Sequence, residues 1–109
     1  MKLPEKLKVG GRIYDVSTDG SHDVELAHNC HMGETDHMKA VISIGSEYSD
    51  AQKRGTMIHE MLHAIANHTN LDTAWADNGE DYIERLEAAL SMVFMDNPDL
   101  VFMLLPEEG

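Results

Sequence analysis

Two histidines and a glutamate in the segment His59-Glu60-Met61-Leu62-His63 have the spacing H-E-x-x-H. On a helix, residues four apart lie on the same face, one turn from each other, so both imidazoles can bind one Zn²⁺. The intervening Glu60 is then placed to take a proton from a metal-bound water. The spacing therefore predicts metal-assisted hydrolysis of an amide bond, with His59 and His63 as metal ligands and Glu60 as the general base.

A third metal ligand is expected on another element, because catalytic zinc usually has three protein ligands and an open position for water. Glu80 falls in the first turn of a predicted second helix, three residues before the apolar Ile83. Residues three apart share a side of a helix, so Glu80 can face the first helix. Glu84, one turn further on, is the alternative ligand. Without a metal, Glu80 would simply complement the positive end of the helix dipole. Glu84 and Asp77 are also candidates for orienting the imidazoles.

The motif requires a helix, and the residues around it predict one. Ser49-Asp50-Ala51-Gln52 has the S-x-x-Q form of a capping box, and the helix that it opens should run to about His68. Its apolar residues recur at helical spacing, and they are Met57, Ile58, Met61, Leu62 and Ile65. His59 and His63 flank that stripe, so we expect them on a partly covered face.

The preceding segments have the patterns of short strands. Leu7–Val16, interrupted by Gly10-Gly11, is typical of a hairpin. Val24–Ala27 is compatible with a strand or a short turn of helix. The polar, histidine-rich residues 28–38 are predicted to be a loop. Ala40–Ile44 is β-branched and precedes a glycine, which favours a strand.

A second helix is predicted from about Gly79 to Asp96, where Asn97-Pro98 ends it and begins a short terminal helix to about Leu105. We therefore expect a single α+β domain over residues 1–109, with a small, mostly antiparallel sheet of about three strands on two main helices. The metal should lie between those helices. The strand ending at Ile44, if it lies at a sheet edge, could bind an extended peptide by strand addition.

The motif segment, followed by Glu80, Ile83 and Leu86, resembles the zincin core of ImmA/IrrE-type metallopeptidases, especially the short phage- or prophage-encoded members. Weaker matches span most of residues 7–100, and they are Lys8-Val9-Gly10-Gly11, Gly33 with Ile42-Ser43-Ile44, and Asn97-Pro98. The resemblance implies a zincin-like fold, a Zn²⁺ held by His59, His63 and Glu80, and cleavage of peptide bonds.

Two positions depart from that family. Ile83 stands where the larger family usually has alanine, and Leu86 where it usually has phenylalanine. We also expect no helix-turn-helix or sensor domain within residues 1–109. The resemblance therefore implies the family's fold and metal site for this chain more strongly than it implies a role in repressor cleavage or the stress response.

The composition restricts the partners. A net charge of −12 and a pI near 4.7 argue against nucleic acid and against an anionic membrane surface. The first residues have no apolar signal region, and no apolar run is long enough to span a membrane. With Cys30 as its one cysteine, the chain fits a reducing compartment. We expect a cytoplasmic protein, in a bacterial host if it is phage-encoded, that acts on a peptide or protein substrate.

Several alternatives remain open at this point. Cys30 has four histidines near it in sequence, so a second metal site is conceivable, and these are His22, His28, His31 and His37. Cys30 or His31 could instead reach the active zinc and block its open position. The chain could also be a zinc-stabilised interaction module without useful turnover, or a protein in which the motif is accidental.

Overall fold

The computed structural model describes residues 3–69 and 79–105, without the side chains of residues 79–84 and 87. Its strands are β1 (Lys6–Val9), β2 (Arg12–Ser17), β3 (Gly33–Asp36) and β4 (Val41–Ile44). Its helices are α1 (Asp23–His28), α2 (Asp50–Thr69), α3 (Gly79–Asp96) and α4 (Pro98–Leu104). No helix in the described ranges is long and apolar enough to cross a membrane.

The four strands form one mixed sheet in the order β1-β2-β4-β3. β1 pairs with β2 and β3 with β4 in antiparallel fashion, whereas β2 and β4 run parallel. The expected α+β class is confirmed. Two of the three strand pairings are antiparallel, as expected, but one is parallel, and the sheet has four strands where about three were expected. The additional strand is β3, which lies within the segment predicted to be a loop. Because β3 occupies the edge, β4 is an interior strand. The edge position that peptide binding along Ile42–Ile44 would require is therefore not found.

The hairpin predicted at the two consecutive glycines is confirmed. Val9 pairs with Arg12, and Gly10 has a φ of 64°, a left-handed conformation that favours glycine at this turn position. A Cβ on Gly10 would collide with the exposed His68 ring at the end of α2, so that ring would have to move aside.

The core lies between one face of the sheet and the helices α2 and α3. Alternate strand residues such as Leu7, Tyr14 and Ile42 meet Met61 of α2 and Val93 of α3, all at most 2% exposed. The apolar stripe predicted on α2 is buried at Met57, Met61 and Ile65, which confirms the prediction at these positions. At Leu62 the prediction is wrong, because this side chain is 41% exposed.

The capping box at the start of α2 is confirmed. The Gln52 backbone N–H donates to Ser49 Oγ at 3.2 Å, and the Ser49 backbone N–H donates to Gln52 Oε1 at 3.0 Å. Two otherwise unpaired backbone donors are thereby satisfied. This cap sets where α2 begins at Asp50, and therefore which way the motif faces about two and a half to three and a half turns further along.

Asn97 ties the helices to the outer edge of β1. Its side-chain amide donates to Lys8 O at 2.8 Å and to Val93 O at 2.7 Å, and its Oδ1 accepts from the Lys8 backbone N–H at 2.8 Å. Asn97 is 8% exposed. The amide occupies the outward backbone groups of Lys8, so this edge of the sheet is partly covered.

Candidate active site

The two motif histidines project together from α2. Their Nε2 atoms are 3.1 Å apart, and their ring centroids lie 4.8 Å apart at an interplanar angle of 74°. Both side chains are exposed. Tetrahedral zinc with Zn–N bonds of about 2.0–2.1 Å separates two ligand nitrogens by about 3.3–3.4 Å. The spacing of His59 and His63 is therefore close to what one Zn²⁺ requires.

Glu60 lies between α2 and the edge strand β3. The side chain is 5% exposed, and its Oε1 accepts a hydrogen bond from Thr35 Oγ1 at 3.0 Å. The same hydroxyl lies 3.3 Å from the Glu60 backbone oxygen. The motif glutamate is thus held by a side chain from another element, which the sequence did not predict.

Gly33 allows β3 to approach α2 this closely. A Cβ at Gly33 would lie 2.5 Å from Thr56 Cγ2 and 2.9 Å from the Ser43 backbone oxygen. Those distances are too short for any real side chain, so only glycine fits between helix and strand. Two residues along β3, Thr35 shares the α2-facing side because strand side chains alternate.

A cleft of about 320 Å³ opens beside the motif. It brings together three predicted site residues, His59, Glu60 and His63, with five residues that lie in or next to β3. Those five are His31, Gly33, Glu34, Thr35 and His37. Sequence reasoning had considered only His31 near the metal, and it missed the part of the other four because it treated the segment as a loop. The signal that could have found them is the period-two spacing of Gly33, Thr35 and His37.

The predicted third ligand falls outside the described side chains. The backbones of Glu80 and Glu84 lie in α3, whereas Asp77 lies wholly outside the described residues. Among the described side chains, no group of three or more His, Cys, Asp or Glu residues could hold a metal ion. The geometry thus brings together two of the three predicted ligands, and the place of Glu80 stays a prediction.

Glu34 is fixed at the rim of the cleft. Its Oε1 accepts from Asn29 Nδ2 at 3.0 Å and lies 2.9 Å from His31 Nδ1. The hydrogen bond to His31, followed by that to Asn29, lowers the pKa of the Glu34 carboxyl below its ordinary value. Cys30 is exposed with a φ of 58°, and in the described part of the chain it belongs to no metal-binding group.

β3 presents backbone groups at the open edge of the sheet. The Gly45 N–H donates to Met32 O at 2.9 Å, which marks those two residues as a hydrogen-bonded pair. Because such pairs alternate along antiparallel strands, the N–H and C=O groups of Gly33 and Thr35 point away from β4. An extended chain could therefore pair with β3 beside the cleft.

The candidate site thus joins one turn of α2 to the edge strand β3, with paired imidazoles, a hydrogen-bonded carboxylate and backbone groups that point away from β4 around one cleft. No protein-family model, curated protein or solved structure matches this chain.

Proposed function

We propose that this chain is a zinc-dependent peptidase, with Zn²⁺ held by His59, His63 and Glu80. The observation that carries the proposal is the 3.1 Å separation of the two Nε2 atoms beside a cleft that also contains Glu60. The proposal extends the resemblance to ImmA/IrrE-type metallopeptidases of phage or prophage origin, and with it a bacterial cytoplasmic setting.

Glu60 and Thr35 have different roles in this mechanism. Zn²⁺, when bound, lowers the pKa of a water toward about 7 and polarises a carbonyl group. Glu60 takes a proton from the attacking water and passes it to the leaving amine. Thr35 already donates to Oε1, so Oε2 is the oxygen that exchanges this proton. Thr35 also keeps the carboxylate directed between helix and strand.

The substrate enters as an extended peptide alongside β3. The outward backbone groups of Gly33 and Thr35 pair with it, and the cleft receives the bond to be cleaved. β1 is less suited to this task, because Asn97 already occupies the outward N–H and C=O of Lys8.

Metal content is the first test. Protein purified without a His tag should carry about one zinc per chain by elemental analysis. His59→Ala and Glu80→Ala should lose it, whereas His28→Ala, an exposed histidine on α1, should retain it. Glu84→Ala decides between the two candidate carboxylates: retention supports Glu80, and loss with Glu80→Ala unaffected would assign Glu84 instead. A wild-type chain without zinc, even after zinc is supplied, would overturn the proposal.

Turnover is the second test. Zinc-loaded protein should cleave members of a library of internally quenched peptides, with cleavage detected by fluorescence and mapped by mass spectrometry. Glu60→Gln should keep its zinc and lose activity, because the amide cannot take the water's proton. Glu47→Gln, at an exposed position away from the cleft, is the matched control. Equal activity in Glu60→Gln and the wild type would contradict the assigned role.

The alternative function is a zinc-binding interaction module without turnover. One observation favours it: Glu60 is 5% exposed and already engaged by Thr35, so its access to water is restricted. This alternative predicts zinc in the wild type, no cleavage of any library member, and Glu60→Gln protein with unchanged behaviour.

A further inference from the structure

His37 is a chemistry-bearing residue of the cleft that lies outside the H-E-x-x-H motif. It directly follows β3. Because every second residue of a strand faces the same way, His37 shares the side of Gly33 and Thr35, which faces α2. The half-buried imidazole lines the same cleft as His59 and Glu60. Fold and sheet register therefore bring a third histidine to the site from a different element.

The His37 ring is anchored in the core. Tyr14 Oη lies 3.3 Å from His37 Nδ1, with the two rings nearly perpendicular at 84°. Tyr14 is 2% exposed, and the Arg12 guanidinium lies 5.5 Å from its ring centroid. A buried phenol that meets one ring nitrogen orients the other nitrogen away from the core.

The backbone around His37 is also fixed. The Asp36 Oδ1 atom accepts from the backbone N–H groups of Met38 and Lys39, both at 3.0 Å. Arg12 Nη2 donates to the Met38 backbone oxygen at 3.1 Å. The pKa of the Asp36 carboxyl is held below its usual value, chiefly by the hydrogen bond from the Lys39 backbone N–H and further by other nearby donors and charges. The carboxylate therefore remains a charged acceptor in this turn.

We propose that His37 is a further catalytic residue, which donates a hydrogen bond from Nε2 to the oxygen of the scissile carbonyl as negative charge develops there. Tyr14 is the positioning residue: its hydroxyl lies 3.3 Å from Nδ1, so a hydrogen bond there leaves Nε2 as the ring nitrogen that can reach the substrate. A preorganised donor costs no rearrangement during the reaction.

This inference rests on the proposed peptidase function. Kinetics with a quenched peptide cleaved by the wild type should show that His37→Gln lowers kcat by about 100-fold, with KM within about twofold and zinc retained. Tyr14→Phe keeps the buried aromatic ring and should lower kcat by about 10-fold. The double variant should be no slower than His37→Gln alone, because Tyr14 acts through His37. His28→Gln is the exposed control.

Inhibitor binding separates this role from a structural one. A phosphinic peptide carries a tetrahedral centre with an oxygen at the oxyanion position, whereas a peptide hydroxamate binds chiefly through the metal. His37→Gln should weaken the phosphinic peptide by at least about 10-fold and leave the hydroxamate unchanged. Equal weakening of both inhibitors, or loss of zinc, would overturn the assignment, as would unchanged kcat in His37→Gln. A wild type that binds zinc but neither cleaves peptides nor binds the phosphinic peptide would overturn the peptidase function itself.

Discussion

At the scale of single residues, the candidate site contains two pairs of side chains, one within a helix and one between a helix and a strand. His59 and His63 form one pair within α2, and Glu60 and Thr35 form another between α2 and β3. The first pair follows from helical spacing and was predictable from the sequence. The second depends on the register of an edge strand against a helix, which local sequence does not encode.

The Thr35 hydroxyl should matter for catalysis more than for folding. Thr35→Val removes the donor to Glu60 but keeps the branched shape, so we expect kcat to fall by about 10-fold, since a hydrogen bond to a charged group contributes about 1.5–3 kcal/mol. Thr35→Ser should retain most of the activity because the hydroxyl remains. Steady-state kinetics with zinc analysis checks this, and Thr18→Val, at an exposed position, is the control. Equal kcat in the valine and serine variants would refute the role of the hydroxyl.

The effect of a substitution at Gly33 on stability can be predicted from interatomic distances. Gly33→Ala would place a Cβ 2.9 Å from the Ser43 backbone oxygen, so β3 must shift away from α2. Overpacking of this kind costs about 1–3 kcal/mol in the free energy of unfolding. Gly55→Ala is a matched control on the helix, because nothing lies within 4 Å of its Cβ position, and it should instead stabilise the protein by about 0.5–1 kcal/mol. Urea denaturation measures both, and destabilisation by Gly55→Ala alone would contradict the packing.

At the scale of elements, the sequence predicted those with strong local signals. The cap formed by Ser49 and Gln52 located the start of α2, and the glycine turn located the first hairpin. β3 was missed because Gly33–Asp36 has no apolar residue. As a partly buried edge strand, it lacks the alternation of apolar and polar residues by which strands are usually recognised. The parallel pairing of β2 with β4 was missed as well. It could be inferred only after α1 and β3 had been recognised in the segment that connects these two strands.

Asn97 offers a prediction at this scale, because it joins α3, α4 and β1. Asn97→Ala leaves the outward backbone groups of Lys8 without their partner and should lower the free energy of unfolding by about 1–3 kcal/mol. Asn67→Ala, at an exposed position of α2, is the control and should change it little or raise it slightly. Thermal and urea denaturation measure the difference. Equal stabilities of the two variants would show that the Asn97 amide does not hold the edge of β1.

At the scale of the whole molecule, charge is the dominant property. The chain has 20 acidic and 8 basic residues, and the residues lining the described cleft include Glu34 and Glu60 but no Lys or Arg. A field of one sign concentrates oppositely charged ligands and speeds their association. The composition therefore bears on substrate selection, although it does not determine the fold.

We expect the proposed peptidase to prefer basic peptides and to lose that preference in salt. For lysine-containing substrates, kcat/KM should fall as ionic strength rises from about 0.01 M to about 1 M, because the screening length shortens from about 30 Å to about 3 Å. Glutamate-containing peptides of equal length should show the opposite trend. Glu34→Gln should reduce the preference more than Glu47→Gln, since Glu34 lines the cleft and is held there as a carboxylate by His31 and Asn29. If both peptide sets respond identically to salt, the charge of the chain plays no part in selecting its substrate.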